Sequence, residues 1–206
     1  LTFEKMLRVF GWFSIIGGLL ITLVQPWIHL DPHSFIAAYF YLLAFIFIAI
    51  GLIGHYLIQY KDFGGYGLFS FLLLSISLYL WIGYHWFQTF VYFDLFKNIP
   101  DLSNIVLHSM EYGKHLAIYS MLSGILIFSG LSLWKGILSR WSTALLLLAP
   151  FMIWIPYGLI AAHFLGGVSF IWSGITLCKG NAKMIEEKDG EEQNREQHEK
   201  MLEANQ

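Results

Sequence analysis

Trp141 to Cys178 reads WSTALLLLAPFMIWIPYGLIAAHFLGGVSFIWSGITLC, 38 consecutive residues without a formal charge. A membrane helix needs about 20 apolar residues to cross about 30 Å of hydrocarbon, so this run is nearly twice too long for one crossing. Pro156-Tyr157-Gly158 divides it, because proline lacks the backbone N–H and glycine permits a tight turn. Two spans are expected here, 139–156 and 159–178, with Pro150 kinking the first.

The same criterion applied outward finds four earlier spans, at about 9–28, 35–57, 68–93 and 116–134. The whole chain has the composition this requires: of 206 residues, 57% are hydrophobic and only 13% charged, with mean hydropathy +0.60. A soluble domain carries about 25% charged residues. The charge is also crowded into the end of the chain, where 179–206 holds eight of the fourteen acids and five of the twelve bases. The fold class expected is all-α, a polytopic membrane protein with six transmembrane helices in residues 1–178. Residues 179–206 read as a charged cytoplasmic tail too polar to build a core of its own. Span one is too long for the apolar region of a cleaved signal.

Lys and Arg set the orientation. With the N-terminus inside, ten of the twelve bases lie on inner segments and only Lys97 and Lys114 lie in outer loops. Both termini are therefore expected in the cytoplasm of a plasma membrane. The tryptophans form two headgroup-level groups on this threading, Trp27, Trp81, Trp86 and Trp154 outside and Trp12, Trp134, Trp141 and Trp172 inside. Small residues four apart (Ser14 and Gly18, Ser120 and Gly124, Ala162 and Gly166, Ser169 and Ser173) suit close helix packing in lipid. The short basic inner turn Lys135–Arg140, followed by an apolar hairpin, resembles that of many small multi-pass bacterial membrane proteins, and no motif in it is specific to one family.

The threading gathers histidines. His29, His33, His85, His108, His115 and His163 fall in the outer half, and only His55 and His198 lie elsewhere. In the long outer loop Pro100-Asp101 looks like a helix start. A helix from there would put Asp101, His108, Glu111 and His115 on one stripe. His108, Glu111 and His115, completed by His33, form a candidate site for a divalent transition metal such as Zn²⁺, Mn²⁺ or Fe²⁺. A solvated interfacial face is the alternative for the same stripe. His85 and His163 lie within the hydrocarbon at comparable depth, on spans three and six. On span three, Ser77, Trp81, His85, Gln88 and Thr89 share one side. These two histidines are candidate axial ligands of a b-type haem, or else hydrogen-bond partners between helices.

Several chemistries lack their parts. There is no Gly-x-Ser-x-Gly, no His-Glu-x-x-His and no phosphate-cradling loop. The single cysteine, Cys178, cannot exchange dithiols. No carboxylate or lysine lies mid-membrane, and a pI of about 6.5 without a basic patch gives no support for nucleic-acid binding. The reading is a non-enzymatic multi-pass membrane protein, its partners the bilayer and a membrane protein, with an outward His/carboxylate surface that binds metal or responds to pH. A haem-bearing redox subunit and a small-solute transporter are the rivals.

Overall fold

Gly64 has φ 58° and ψ −146°, a backbone region that glycine enters without a Cβ penalty. There the chain reverses between α2 (Phe35–Tyr60) and α3 (Gly64–Tyr92). Aromatic rings mark the antiparallel register: Tyr56 stacks on Phe71 at 4.3 Å, Phe45 meets Trp81 at 6.1 Å, Tyr41 meets His85 at 4.7 Å and Phe35 meets Phe90 at 6.1 Å. These two helices cover the segments expected as spans at 35–57 and 68–93, apart from Phe93, which lies outside the described residues. The last turn of α3, Gln88–Tyr92, widens into a π-helix.

This computed structural model describes residues 2–32, 34–92, 95, 98, 108–135 and 138–179. Before the hairpin comes α1 (Phe3–Leu30); after it come α4 (His108–Lys135) and α5 (Arg140–Met152). The last helix, α6, is Gly158–Lys179. Among the described residues the fold is all-helical, and five of the six helices are long and apolar enough to cross a membrane. The exception is α5. Its 13 residues rise about 20 Å, short of the hydrocarbon thickness. The helix expected over 139–156 ends at Met152, four residues before Pro156, which has no N–H to bond back to the Met152 carbonyl. The turns from Ile153 to Tyr157 carry the chain onward, with Tyr157 at φ 60°. The Tyr157 ring reaches the end of α1, 5.7 Å from His29.

Packing follows stripes with alternating spacings of three and four. On α2 the buried positions include Tyr41, Phe45, Ile48, Leu52, His55 and Gln59; on α1, Leu7, Gly11, Ser14, Gly18, Ile21 and Gln25. Helices α1 and α6 cross antiparallel through two glycine pairs. A Cβ on Gly18 would sit 2.5 Å from the Gly167 carbonyl, and one on Gly11 2.8 Å from that of Gly174. Across α3 and α4, Gly124 admits the backbone of Leu74. The chain ends of α1 and α6 lie together, where the Cys178 thiol donates to the Arg8 carbonyl at 3.7 Å.

Among the described residues, large apolar side chains are exposed on every helix. Seven of the eight tryptophans are exposed, from 40% at Trp27 to 85% at Trp154. Water would not tolerate such a surface on a monomer; lipid does. Trp81 departs from the expected outer belt, since it is only 9% exposed and packs in the core.

Candidate functional site

Trp81, His85 and Thr89 follow one another at four-residue spacing on α3, so they share one face of the helix. That face looks across the hairpin at Tyr41 and Phe45 on α2. The His85 ring is held in an aromatic box: Trp81 at 4.6 Å and Tyr41 at 4.7 Å, both near-perpendicular, with Phe45 parallel at 6.3 Å. From α6, His163 closes the group. Its Nδ1–H donates to the Leu159 carbonyl at 2.7 Å, which leaves Nε2 to accept from the Tyr41 hydroxyl at 2.8 Å. Tyr41 thus stands between the two histidines, in ring contact with both.

Two cavities meet at Trp81. The larger, about 760 Å³, lies at the end of the bundle that carries the α1–α2 turn. Its walls include Gln25, Tyr41, Tyr84, His85, Gln88 and Thr89. The smaller, about 170 Å³, lies deeper among α1 to α6 and is lined almost wholly by aliphatic and aromatic side chains, with His163 at its edge. Trp81, Ile118 and Leu159 line both. We term them the vestibule and the chamber.

Unmatched polarity is packed behind the vestibule wall, out of reach of the cavity itself. Trp81 Nε1, His85 Nε2 and Thr89 Oγ1 are buried and have no hydrogen-bond partner, and with His55 Nδ1 they make up all such side-chain atoms among the described residues. The Trp81 indole lies toward the Tyr41 hydroxyl without reaching ordinary hydrogen-bond geometry. An unpaired buried donor or acceptor costs about 1–3 kcal/mol, and natural interiors keep few of them. Three of the four fall on one stripe of α3, in residues whose other atoms line the vestibule. Lys114 is the one formally charged residue among the described lining, and its ammonium is 2.8 Å from a Glu111 carboxylate oxygen.

A second polar cluster occupies the opposite half. His55, 2% exposed, hydrogen bonds through Nε2 with Ser14 of α1 at 3.0 Å and Ser173 of α6 at 3.3 Å. One turn on, Gln59 accepts from Ser132 of α4 at 2.9 Å, and Ser169 of α6 donates to the Ser142 carbonyl of α5 at 2.7 Å. Most other serines in the spans bond back into their own helix. The cavity here is about 10 Å³, roughly the space of one water. This cluster ties five helices together.

His85 and His163 both contact Tyr41, and His163 has both ring nitrogens engaged by protein. Of the other candidate ligands, His33 and the side chain of His108 lie outside the described residues, as does the expected helix start at Pro100-Asp101. Glu111 is paired with Lys114, and the His115 Nδ1–H donates to the Glu111 carbonyl at 2.8 Å. Among the described residues no three His, Cys, Asp or Glu side chains come close enough to share a cation. What the sequence missed is Tyr41 and the His55 cluster. The signal was the three-and-four stripe from Tyr41 to Gln59, which marks both as core positions.

No protein-family model, curated protein or solved structure matches this chain.

Proposed function

We propose that this chain is a six-pass protein of a bacterial-type plasma membrane, both termini cytoplasmic, that binds a small molecule in the vestibule and performs no chemistry on it. Two features support the threading. The ends of α1 and α6 are neighbours, which an even number of passes gives and an odd number does not. Tyr157 beside His29 carries the short fifth segment to the level where α1 ends. The lysine and arginine count then puts the vestibule on the outer side.

The binding reading rests on one observation: a cavity of about 760 Å³ whose wall is mainly apolar and aromatic with a few polar side chains, Gln25, Ser34, Tyr84 and Gln88 among them. Ligand pockets span about 300–1,000 Å³, mostly apolar with a few convergent polar groups. The rivals have less support. A b-type haem on His85 and His163 requires Tyr41 to release His163 Nε2. A metal on His33, His108, Glu111 and His115 requires Glu111 to leave Lys114. A transport path must pass the His55 cluster, where the cavity holds about 10 Å³.

Native mass spectrometry of the detergent-purified protein tests the reading. Ala38 lines the vestibule, and Ala38→Phe puts a benzyl ring into it and narrows it. A co-purifying mass of a few hundred daltons, present in the wild type and absent in Ala38→Phe, is expected. No retained mass in the wild type, with Ala38→Phe equally stable, overturns binding. A Soret band in the same preparation would revive the haem.

A further inference from the structure

We propose that the chamber is a binding site for a compact hydrocarbon about the size of benzene, separate from the vestibule and from what the vestibule holds.

The walls decide the chemistry. All six helices contribute, through Ile21, Ile48, Leu78, Ile125, Leu146 and Phe170 among others. Only Trp81 and His163 bring side-chain nitrogen or oxygen to the lining, and neither offers it to the space. Both His163 nitrogens are engaged, with Tyr41 and with the Leu159 carbonyl, and Trp81 Nε1 is buried out of reach. A water needs about two to four polar partners and finds none in these side chains. A ligand with hydrogen-bonding groups would leave them unmatched after desolvation. The molecule that fits has no donor, no acceptor and no charge.

The volume decides the size. An apolar cavity of about 150 Å³ takes benzene or xenon, and the chamber measures about 170 Å³. Lipid tails are as apolar as these walls, so dispersion contact does the selecting. A solute wholly inside meets wall atoms on every side, whereas an acyl chain leaves most of its length outside. Ala149, Ala162 and Gly166 line the space with little or no side chain, and a Cβ on Gly166 would meet nothing within 4 Å.

Trp81 is the reporter, because it lines the chamber while the other seven tryptophans are exposed. The full chain is reconstituted in vesicles of brominated phosphatidylcholine, which darken the outer seven, and iodobenzene, a heavy-atom quencher, is titrated in. Saturable loss of the residual emission is expected, reversed by excess benzene and not by 1,3,5-tri-tert-butylbenzene, which is too bulky for the chamber. Gly166→Leu or Ala149→Leu, which put a side chain into the chamber, should raise the half-saturating amount about tenfold; Ala38→Phe, in the vestibule, should leave it unchanged. Quenching that never saturates, or that the bulky arene reverses as well as benzene does, overturns the proposal even where neither filled variant folds. Half-saturation unchanged in both filled variants overturns it too; if Ala38→Phe shifts it instead, the solute sits in the vestibule and the reading above stands. Trp81 dark in the wild type before any iodobenzene, and bright in Gly166→Leu, assigns the chamber to a lipid chain and likewise overturns the proposal.

Discussion

Tyr41 shows how one hydroxyl organises a buried site. It donates to His163 Nε2 while its ring packs edge-on against His85, so two helices take their orientation from one side chain. Removing the hydroxyl leaves His163 Nε2 without a partner inside the bundle. Tyr41→Phe should destabilise the protein by about 1–3 kcal/mol, visible as a lowered unfolding midpoint in detergent. Ser120→Ala, which breaks only bonds back into its own helix, should change it little. The stripe of Trp81, His85 and Thr89 is legible in the bare sequence, because polar residues four apart in an apolar span stand out. Tyr41 is not, since a tyrosine in an apolar run suits the lipid interface and the core equally. His55 hides for a different reason. Five residues from the end of α2, it looks like a headgroup-level histidine until Ser14 and Ser173 are seen to reach it from two other helices.

At the level of helices, glycine decides which pairs touch. Gly18 and Gly167 meet backbone to backbone, while Gly166 and Gly130 have nothing within 4 Å of an added Cβ. Gly18→Val or Gly167→Val should force α1 and α6 apart and lower the yield of folded protein in size-exclusion profiles. Gly166→Ala and Gly130→Ala should be neutral or stabilise by about 0.5–1 kcal/mol, because alanine is the better helix former. Small residues four apart signalled close packing in general. They did not identify the contact, which runs through glycines seven apart on each helix (11 and 18, 167 and 174). The choice between adjacent Gly166 and Gly167 depends on how α6 is rotated about its axis, a property of the partner helix and not of local sequence. Charge-free runs marked where six helices lie but not their lengths: α1 starts at Phe3 and α4 at His108, well before the expected 9 and 116. α5 ended early, where Pro156 has no N–H to return to the Met152 carbonyl.

For the whole molecule, the arrangement makes a firm demand on sidedness. In a Cys178→Ser background, a membrane-impermeant thiol reagent applied to intact cells should label Asp31→Cys and Tyr157→Cys and spare Ser139→Cys. Labelling of Ser139→Cys instead would invert the vestibule to the inner side; labelling of Asp31→Cys but not Tyr157→Cys would leave α5 short of the outer face. One further consequence comes from the lone indole inside the bundle. Seven tryptophans face outward and Trp81 does not, so brominated acyl chains should extinguish nearly all the intrinsic fluorescence and spare a single emitter. That residual glow, coming from the seam where the two cavities join, equips the protein with its own optical gauge of whatever enters there.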